Sequence, residues 1–311
     1  MVAPARNPCA YVLLDVFADA PLEGNPLAVF TDARGVSERD MQRLARELNL
    51  SESVFVFPAA QGGDACVRIF TPAVEMPFAG HPVLGAGIVV ARELGKGEVV
   101  LETLAGLVPV RVREAAGDSA PLVASGWMEQ PAPTWEPYSR EVELLAALGV
   151  ERSGLPVEVY CNGPLHVYVA LDSHAAVAAL APDMGALARL GRVQANCFAG
   201  AGKHWKTRMF APALGVPEDP ATGSAAGPLA VHLCRHGWIA SGEEIEISQG
   251  VEIGRPSLLY AWARCADERI ERVEVGGSAV IIGRGELSLG RVVAGASGGG
   301  VSRADALAEC L

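Results

Sequence analysis

The sequence predicts an α+β protein of two pseudo-symmetric lobes, in each of which strands wrap around one buried central helix. Three observations lead to this fold class. The 311 residues amount to about two domains at roughly 150 residues each. Half of the residues are hydrophobic and only 20% are charged, which suffices for a large core. Finally, the chain contains an imperfect copy of itself, and two similar lobes place a binding cleft between them.

The internal repeat is clearest around an arginine that precedes a phenylalanine and two prolines. These residues recur at an offset of 140: Arg68, Phe70, Pro72 and Pro77, then Arg208, Phe210, Pro212 and Pro217. Upstream, residues 25–30 resemble residues 163–168 at an offset of 138, and Gly85 matches Gly227 if two residues are inserted. The alternative is that this arginine motif is an ordinary strand-to-turn sequence used twice.

In the first half, three runs of β-branched or aromatic residues bounded by glycine and proline predict strands at 27–30, 53–57 and 65–70. Between the first two, residues 38–48 carry apolar side chains at helical spacing and predict a surface helix. The helix that begins near Pro82 is apolar on every side, which predicts that it is buried, and Gly95 is a suitable end. Its counterpart runs from about Ser224 to Gly237.

Proline-rich residues 130–137 predict the boundary between the lobes. We therefore expect an N-terminal lobe at 1–128, with a segment near 280–290 that returns to it, and a C-terminal lobe at 129–289. Residues 290–311 are rich in glycine and serine and predict a flexible extension with a short helical end.

The two copies differ in polar residues just before their buried helices. The first has Gly80 and His81, whereas the second has Asp219, Gly223 and Ser224. Backbone N–H groups at a helix start are unpaired donors at a positive dipole end, so each start predicts an anion site that suits a carboxylate. The alternatives are a helix cap for Ser224, a turn brace for Asp219 and a buried, hydrogen-bonded histidine for His81.

Glu52 stands immediately before a very apolar strand. Burial beside such a strand raises a carboxyl pKa toward the range in which the group can accept and return a proton. The alternative is a solvated glutamate at the start of a strand. Glu75 is the one other glutamate in a comparable setting.

Several classes of function are disfavoured. The net charge of −11, without a basic stripe, argues against nucleic-acid binding. No apolar run is long enough to span a membrane or to form a signal-peptide core, which favours a cytoplasmic location. The seven scattered cysteines predict reduced thiols, and neither zinc nor a nucleotide cofactor is indicated. His232 and His236 are four apart but lack the glutamate of a zinc motif.

Four long segments resemble the PhzF family of phenazine biosynthesis: DVFADAPLEGNPLAVF, LNLSESVFVF, RIFTPAVEMPFAGHPVLG and MFAPALGVPEDPATGSAAGPLAVHLCRHG. The resemblance implies a diaminopimelate-epimerase-like fold, a homodimer and cofactor-free isomerisation of trans-2,3-dihydro-3-hydroxyanthranilate, an amino-cyclohexadiene carboxylate. It also implies that Glu52 is the general acid and base. By the same resemblance, the polar residues around the substrate are Asn25, Gly80, His81, Asp219, Gly223 and Ser224.

In the reaction that this resemblance implies, Glu52 moves one hydrogen from C3 to C1 of the ring, and His81 and Asp219 orient the polar groups. The related epimerases use two opposed cysteines at the helix starts, and both starts lack cysteine here, which rules out a two-thiol racemase. Two other functions stay open. One is an isomerase or epimerase of another small amino or cyclic acid, and the other is a binding protein without catalysis.

Overall fold

The structure is a computed structural model that describes residues 8–114, 122–266 and 269–289. These ranges contain 17 strands and six α-helices. In chain order they are β1 (Cys9–Val16), β2 (Asn25–Phe30), α1 (Glu38–Leu48), β3 (Glu52–Pro58), β4 (Ala65–Phe70), β5 (Glu75–Met76), α2 (Gly80–Leu94), β6 (Glu98–Thr103), β7 (Gly106–Glu114), β8 (Leu122–Glu129), β9 (Thr134–Pro137), α3 (Glu141–Leu148), β10 (Glu158–Cys161), β11 (Leu165–Ala170), α4 (His174–Ala178), α5 (Met184–Ala188), β12 (Val193–Ala201), β13 (His204–Ala211), β14 (Val216–Asp219), α6 (Gly223–Arg235), β15 (Ile245–Gln249), β16 (Ser257–Ala266) and β17 (Arg269–Leu287).

The first helix, α1, has the bounds that the sequence predicts. Ser37 caps its start, because the serine side chain accepts a hydrogen bond from the backbone N–H of Asp40. Asn49 ends the helix in the left-handed conformation, with a φ of 51°. Met41 and Leu44 are buried, so one face of the helix packs against the sheet while the other face is exposed.

The two central helices confirm the predicted buried elements. In α2 every residue from 80 to 91 is buried, and Gly95 ends the helix with a φ of 64°. In α6 every residue from 223 to 233 is buried. Helices that are apolar on all sides avoid water in this way, since the surrounding strands cover their whole circumference.

The same series of strand pairings occurs twice. In the N-terminal lobe, β2 and β3 are parallel, β3 and β4 antiparallel, and β4 and β6 parallel, and the antiparallel pairs β6–β7 and β7–β8 follow. In the C-terminal lobe, β11 through β16 repeat this series: β11 and β12 are parallel, β12 and β13 antiparallel, β13 and β15 parallel, and β15 and β16 antiparallel. The repeat that the sequence predicts therefore corresponds to two lobes with the same order of strand pairings.

One long strand, β17, belongs to both lobes. Its first part pairs with β16, its middle pairs with β8, and its last part pairs with β1. Because β1 also pairs with β2, the strands around α2 form a closed ring. The lobe boundaries at residues 128 and 289 stay a prediction.

The main hydrophobic core extends through both lobes, since it contains residues of α2 and α6 together. Two smaller clusters lie under α1 and beneath α3 and α5. Among the described helices, none combines the length and hydrophobicity that a membrane crossing requires. The predicted flexible extension, 290–311, falls outside the described residues.

Candidate functional site

The two central helices meet at their N-termini, between the lobes. A Cβ atom on Gly80 would overlap the backbone nitrogen of Ser224, so the two helix starts touch backbone to backbone. Neither the residue before α2 (Ala79) nor the residue before α6 (Thr222) caps its helix with a side chain. The two positive helix ends therefore offer backbone N–H donors at one place, and this arrangement suits a single carboxylate.

A cavity with about 460 Å³ of empty space, part of it open to solvent, lies at this junction. Residues of both lobes line it. Six of the seven residues that the sequence predicts for the site are among them, namely Glu52, Gly80, His81, Asp219, Gly223 and Ser224. The seventh, Asn25, is fully buried next to two of these residues.

Asn25 connects the two halves of the site. Its side-chain nitrogen lies 2.9 Å from Oδ1 of Asp219 in one lobe and 3.2 Å from Nδ1 of His81 in the other. It also donates to the backbone oxygen of Ala221, at 3.0 Å. Asn25 therefore fixes the distance between His81 and Asp219.

Asp219 is buried but well supplied with donors. Besides Asn25, the hydroxyl of Ser51 donates to its Oδ1 at 3.2 Å, and the hydroxyl of Thr222 donates to its Oδ2 at 2.6 Å. Burial raises the pKa of Asp219 to about 6, against the effect of these hydrogen bonds. Because three groups donate hydrogen bonds to Asp219, its charged form is better stabilised than that of Glu52, the other carboxyl group in the cleft.

Glu52 has a different environment. Its Oε2 lies 3.5 Å from Nε2 of His81, and within the described chain no group donates a hydrogen bond of normal length to it. Burial raises the pKa of Glu52 well above its ordinary value, and the negative charge of Asp219 raises it further. Glu52 can therefore hold a proton at a pH where an exposed glutamate would have lost it.

His81 lies between these groups and is neutral at neutral pH, since burial lowers its pKa to about 3. Because Nδ1 faces an amide donor on Asn25, we assign it as the acceptor, which leaves the proton on Nε2. This Nε2 is buried and has no hydrogen-bond partner among the described residues. His81 is thus a neutral donor that points toward Glu52 and the cavity.

The structure adds cavity residues that the sequence did not single out. Gln194 lines the wall from the C-terminal lobe, and Met76, Phe78 and Met209 supply apolar surface. Gln249 supports the site from behind, because it donates to Thr222 Oγ1 at 2.9 Å and thereby directs the Thr222 hydroxyl proton to Asp219. Met76, Phe78 and Met209 lie within segments that resemble the family, but nothing in the sequence around Gln194 marks it as a cavity residue.

A second polar cluster lies at the other end of α6. Glu158 Oε2 is 3.2 Å from Nδ1 of His232 and 3.0 Å from Nε2 of His236, so a glutamate from β10 joins the two histidines. However, Nη1 of Arg235 donates to the same oxygen at 2.7 Å. The guanidinium takes the place that a metal cation would need, and these contacts hold the pKa of Glu158 well below its usual value. We interpret the cluster as an ion-pair network.

Known proteins resemble this chain in sequence and in fold. A curated trans-2,3-dihydro-3-hydroxyanthranilate isomerase from Pseudomonas aeruginosa is 54% identical over 279 residues, which cover 90% of this chain and 99% of that protein. A predicted epimerase of known structure, also from Pseudomonas aeruginosa, is 31% identical with a TM-score of 0.74, over 89% of this chain and 98% of that one.

A PhzF-family phenazine biosynthesis protein from Bacillus anthracis shares the fold, with a TM-score of 0.77 at 23% identity over 91% of this chain and all of the other. The fold expected from the resemblance, that of the diaminopimelate epimerases, is thereby confirmed. The sequence model of the family described as "phenazine biosynthesis-like protein" matches residues 14–285. With a match over most of its length and a relative at 54% identity, the chain belongs to the PhzC-PhzF family of phenazine biosynthesis-like proteins.

Proposed function

We propose that this protein is an isomerase that converts trans-2,3-dihydro-3-hydroxyanthranilate to 6-amino-5-oxocyclohex-2-ene-1-carboxylate, a step of phenazine biosynthesis. The main support for the proposal is that a carboxyl group with a raised pKa lies beside a site that suits an anion. Glu52 has a raised pKa and lies at the same cavity as the touching helix starts at Gly80 and Gly223. The 54% identity to a curated isomerase of this substrate supports the same conclusion.

The substrate carboxylate binds at the helix starts, where Ser224 adds a hydroxyl donor to the backbone N–H groups. Glu52 removes the proton from C3. The electron pair of the C3–H bond forms the C3–C4 double bond, and the C4–C5 double bond moves to C5–C6. The π pair of the former C6–C1 double bond then takes the proton back from Glu52 and forms the new C1–H bond. The product of this step is an enol, which relaxes to the ketone.

His81 and Asp219 position the ring during this transfer. The neutral His81 donates from Nε2 to the charge that develops on the substrate. Asp219 stays ionised because Asn25, Ser51 and Thr222 donate to it, so it attracts the substrate amine in its protonated form. No step needs a cofactor, since one carboxylate both takes and returns the proton.

The decisive test uses Glu52→Gln with trans-2,3-dihydro-3-hydroxyanthranilate and follows the loss of the diene absorbance. The amide keeps the shape of the side chain but cannot accept a proton, so kcat is expected to fall at least a thousandfold while the substrate still binds. In D2O, the wild-type product is expected to carry deuterium at C1, because the proton on Glu52 can exchange with solvent.

Glu47→Gln on the exposed face of α1 serves as the matched control and is expected to keep wild-type kinetics. Near-normal turnover by Glu52→Gln would remove Glu52 from the mechanism. A wild-type protein that leaves the diene unchanged would refute the proposed function itself.

We also propose that the enzyme is a homodimer, as the family resemblance implies, and that it acts in the cytoplasm. Sedimentation velocity at micromolar concentration is expected to show a particle of twice the chain mass of 32.4 kDa. A single species at the chain mass would contradict the dimer. Cell fractionation of the producing organism tests the location, and recovery of the enzyme in the membrane or exported fraction would contradict it.

A further inference from the structure

Gln194 is a polar side chain that the fold buries without giving it a partner. Only 6% of the residue is exposed, and it lines the cavity between the lobes. Across the described residues, no group hydrogen-bonds to its side-chain amide, although its backbone oxygen accepts from Asn196. An amide that lines a cavity and has no partner within the protein is available to hydrogen-bond a ligand there.

The strand ladders show where Gln194 stands in the internal repeat. In the N-terminal lobe, Phe55 of β3 lies opposite Arg68 of β4. In the C-terminal lobe, Cys197 of β12 lies opposite Arg208 of β13. Since the two arginines are equivalent in the repeat, Phe55 and Cys197 are equivalent as well.

Counting three residues back along β3 and β12 reaches Glu52 and Gln194. The glutamine is thus the counterpart of the glutamate under the pseudo-twofold symmetry of the lobes, and both line the same cavity. The N-terminal lobe contributes a carboxylate at this position, whereas the C-terminal lobe contributes an uncharged amide of nearly the same shape.

We propose that Gln194 is a specificity-determining residue that hydrogen-bonds the C3 hydroxyl of the substrate. This inference rests on the proposed function. C3 is tetrahedral and carries both the hydrogen that Glu52 removes and the hydroxyl. When the hydrogen points at Glu52, the hydroxyl points to the opposite face of the ring, toward the wall that the C-terminal lobe contributes.

An amide suits this position chemically. Its oxygen accepts from the hydroxyl of the substrate and of the enol, and its N–H donates to the oxygen of the ketone product. A carboxylate there would add a third acidic group to a cleft that already holds Glu52 and Asp219. The amide also leaves Glu52 as the single acid and base at this pair of positions, so proton transfer stays on one face of the ring.

The test measures equilibrium binding by calorimetry in the Glu52→Gln background, where the substrate persists. Two ligands are compared: trans-2,3-dihydro-3-hydroxyanthranilate and 2,3-dihydroanthranilate, which lacks only the hydroxyl. With Gln194 present, the hydroxyl is expected to tighten binding roughly tenfold. Gln194→Met, which keeps the length of the side chain but cannot hydrogen-bond, is expected to reduce this advantage to less than twofold.

Gln61→Met, on an exposed loop, is the control and should keep the full advantage. Gln194→Asn, whose amide is one carbon shorter, should retain part of it, and this variant serves if Gln194→Met does not fold. The proposal is overturned if the hydroxyl gives no advantage with Gln194 present, or if the advantage survives in Gln194→Met. Turnover of the wild-type protein is measured separately. If the wild type has no isomerase activity but Gln194→Met still abolishes the binding advantage of the hydroxyl, the proposed function is refuted and the contact is supported.

Discussion

The two carboxyl groups of the cleft, Glu52 and Asp219, have the same chemistry but different surroundings. Three side chains donate hydrogen bonds to Asp219. By contrast, no described residue donates a hydrogen bond of normal length to the Glu52 side chain, which lies 3.5 Å from Nε2 of His81. The negative charge of Asp219 disfavours ionisation of Glu52, so the carboxyl with fewer donors binds a proton more readily. The hydrogen-bond pattern therefore favours Glu52 as the proton-transferring group of the proposed mechanism.

Asp219→Asn tests this electrostatic coupling. The charge of Asp219 raises the pKa of Glu52, so removing the charge lowers that pKa and leaves the Glu52 carboxylate available at lower pH. The acid limb of the kcat/KM profile is expected to move to lower pH, while the plateau falls because the substrate amine loses its counter-ion. A complete pH–rate profile of both enzymes measures the shift.

The exposed Asp172 gives the matched control, since Asp172→Asn changes the net charge equally but Asp172 does not line the cavity. Its acid limb should coincide with that of the wild type. An acid limb that stays in place in Asp219→Asn, or moves to higher pH, would show that Asp219 does not control the proton affinity of Glu52.

Residue type and spacing predicted part of the site. Glu52, His81, Asp219 and Ser224 were identifiable because they stand next to apolar elements or at helix starts. Gln194 was not, because a glutamine at the start of a strand has no distinctive local pattern, and its burial depends on the opposite lobe. Asn25 entered through the family resemblance, since its contacts with His81 and Asp219 join residues that are distant in sequence.

Among the elements, the two helix starts are the most constrained. The backbone of α6 leaves no room for a side chain at Gly80. This close approach adds the positive ends of two helices at one point, which a single helix start could not achieve. The glycine is therefore required by the geometry of the anion site.

We expect Gly80→Ala to force α2 and α6 apart. The free energy of unfolding should fall by about 1–3 kcal/mol, and KM should rise at least tenfold because the carboxylate no longer reaches both helix starts. Urea denaturation and steady-state kinetics measure the two effects. A KM equal to that of the wild type would contradict the placement of the carboxylate.

Gly95→Ala, at the other end of α2, separates stability from function. Gly95 has a φ of 64° and open space around its Cβ position, so alanine strains the backbone without a collision. It should cost about 1 kcal/mol of stability and leave KM unchanged.

The repeated arginine is explained by the strands that follow it. Nε and Nη2 of Arg68 bind the carboxylate of Glu75, and the same two atoms of Arg208 bind Glu218. Each arginine thereby fixes the chain segment that leads to a central helix. On the same strand, β13, Lys206 pairs with Glu252 at 2.7 Å. We therefore assign structural roles to both Lys206 and Arg208.

In the whole molecule, the two lobes share a strand and a core. Strand β17 completes the ring around α2 after it has paired with β16 of the other lobe. The main hydrophobic cluster likewise contains residues of both central helices. Neither lobe can unfold without exposing apolar surface of the other.

We therefore expect a single cooperative unfolding transition in urea. Four of the five tryptophans follow residue 130, so fluorescence reports mainly on the C-terminal lobe, whereas far-UV circular dichroism reports on both. The two curves should coincide. Residues 8–128 expressed alone are expected to stay unfolded, because β1 and β8 both lose their partner β17. A plateau between two transitions, or a folded fragment, would contradict this coupling.

Fold class, repeat and central helices could be predicted because glycine, proline and all-apolar runs are local signals. The length of β17 could not, because the sequence predicts only a returning segment near 280–290, whereas the structure has one strand of 19 residues. Gly276 and Gly277 interrupt the β pattern there. The side chains of Trp127 and Phe17 lie over these glycines and leave no space for a Cβ, a tertiary constraint that the local sequence does not show.

The pairing of β1 with β17 places Cys9 opposite Leu287, so the first and last strands of the described chain are neighbours in one sheet. The backbone is thus nearly circular. If a short linker joined these ends and the chain were opened in the proline-rich segment before β9, the C-terminal lobe would precede the N-terminal lobe while every strand kept its partner. Such a circular permutant should fold to the same structure and retain activity, because the order in which the lobes are synthesised is independent of the contacts between them.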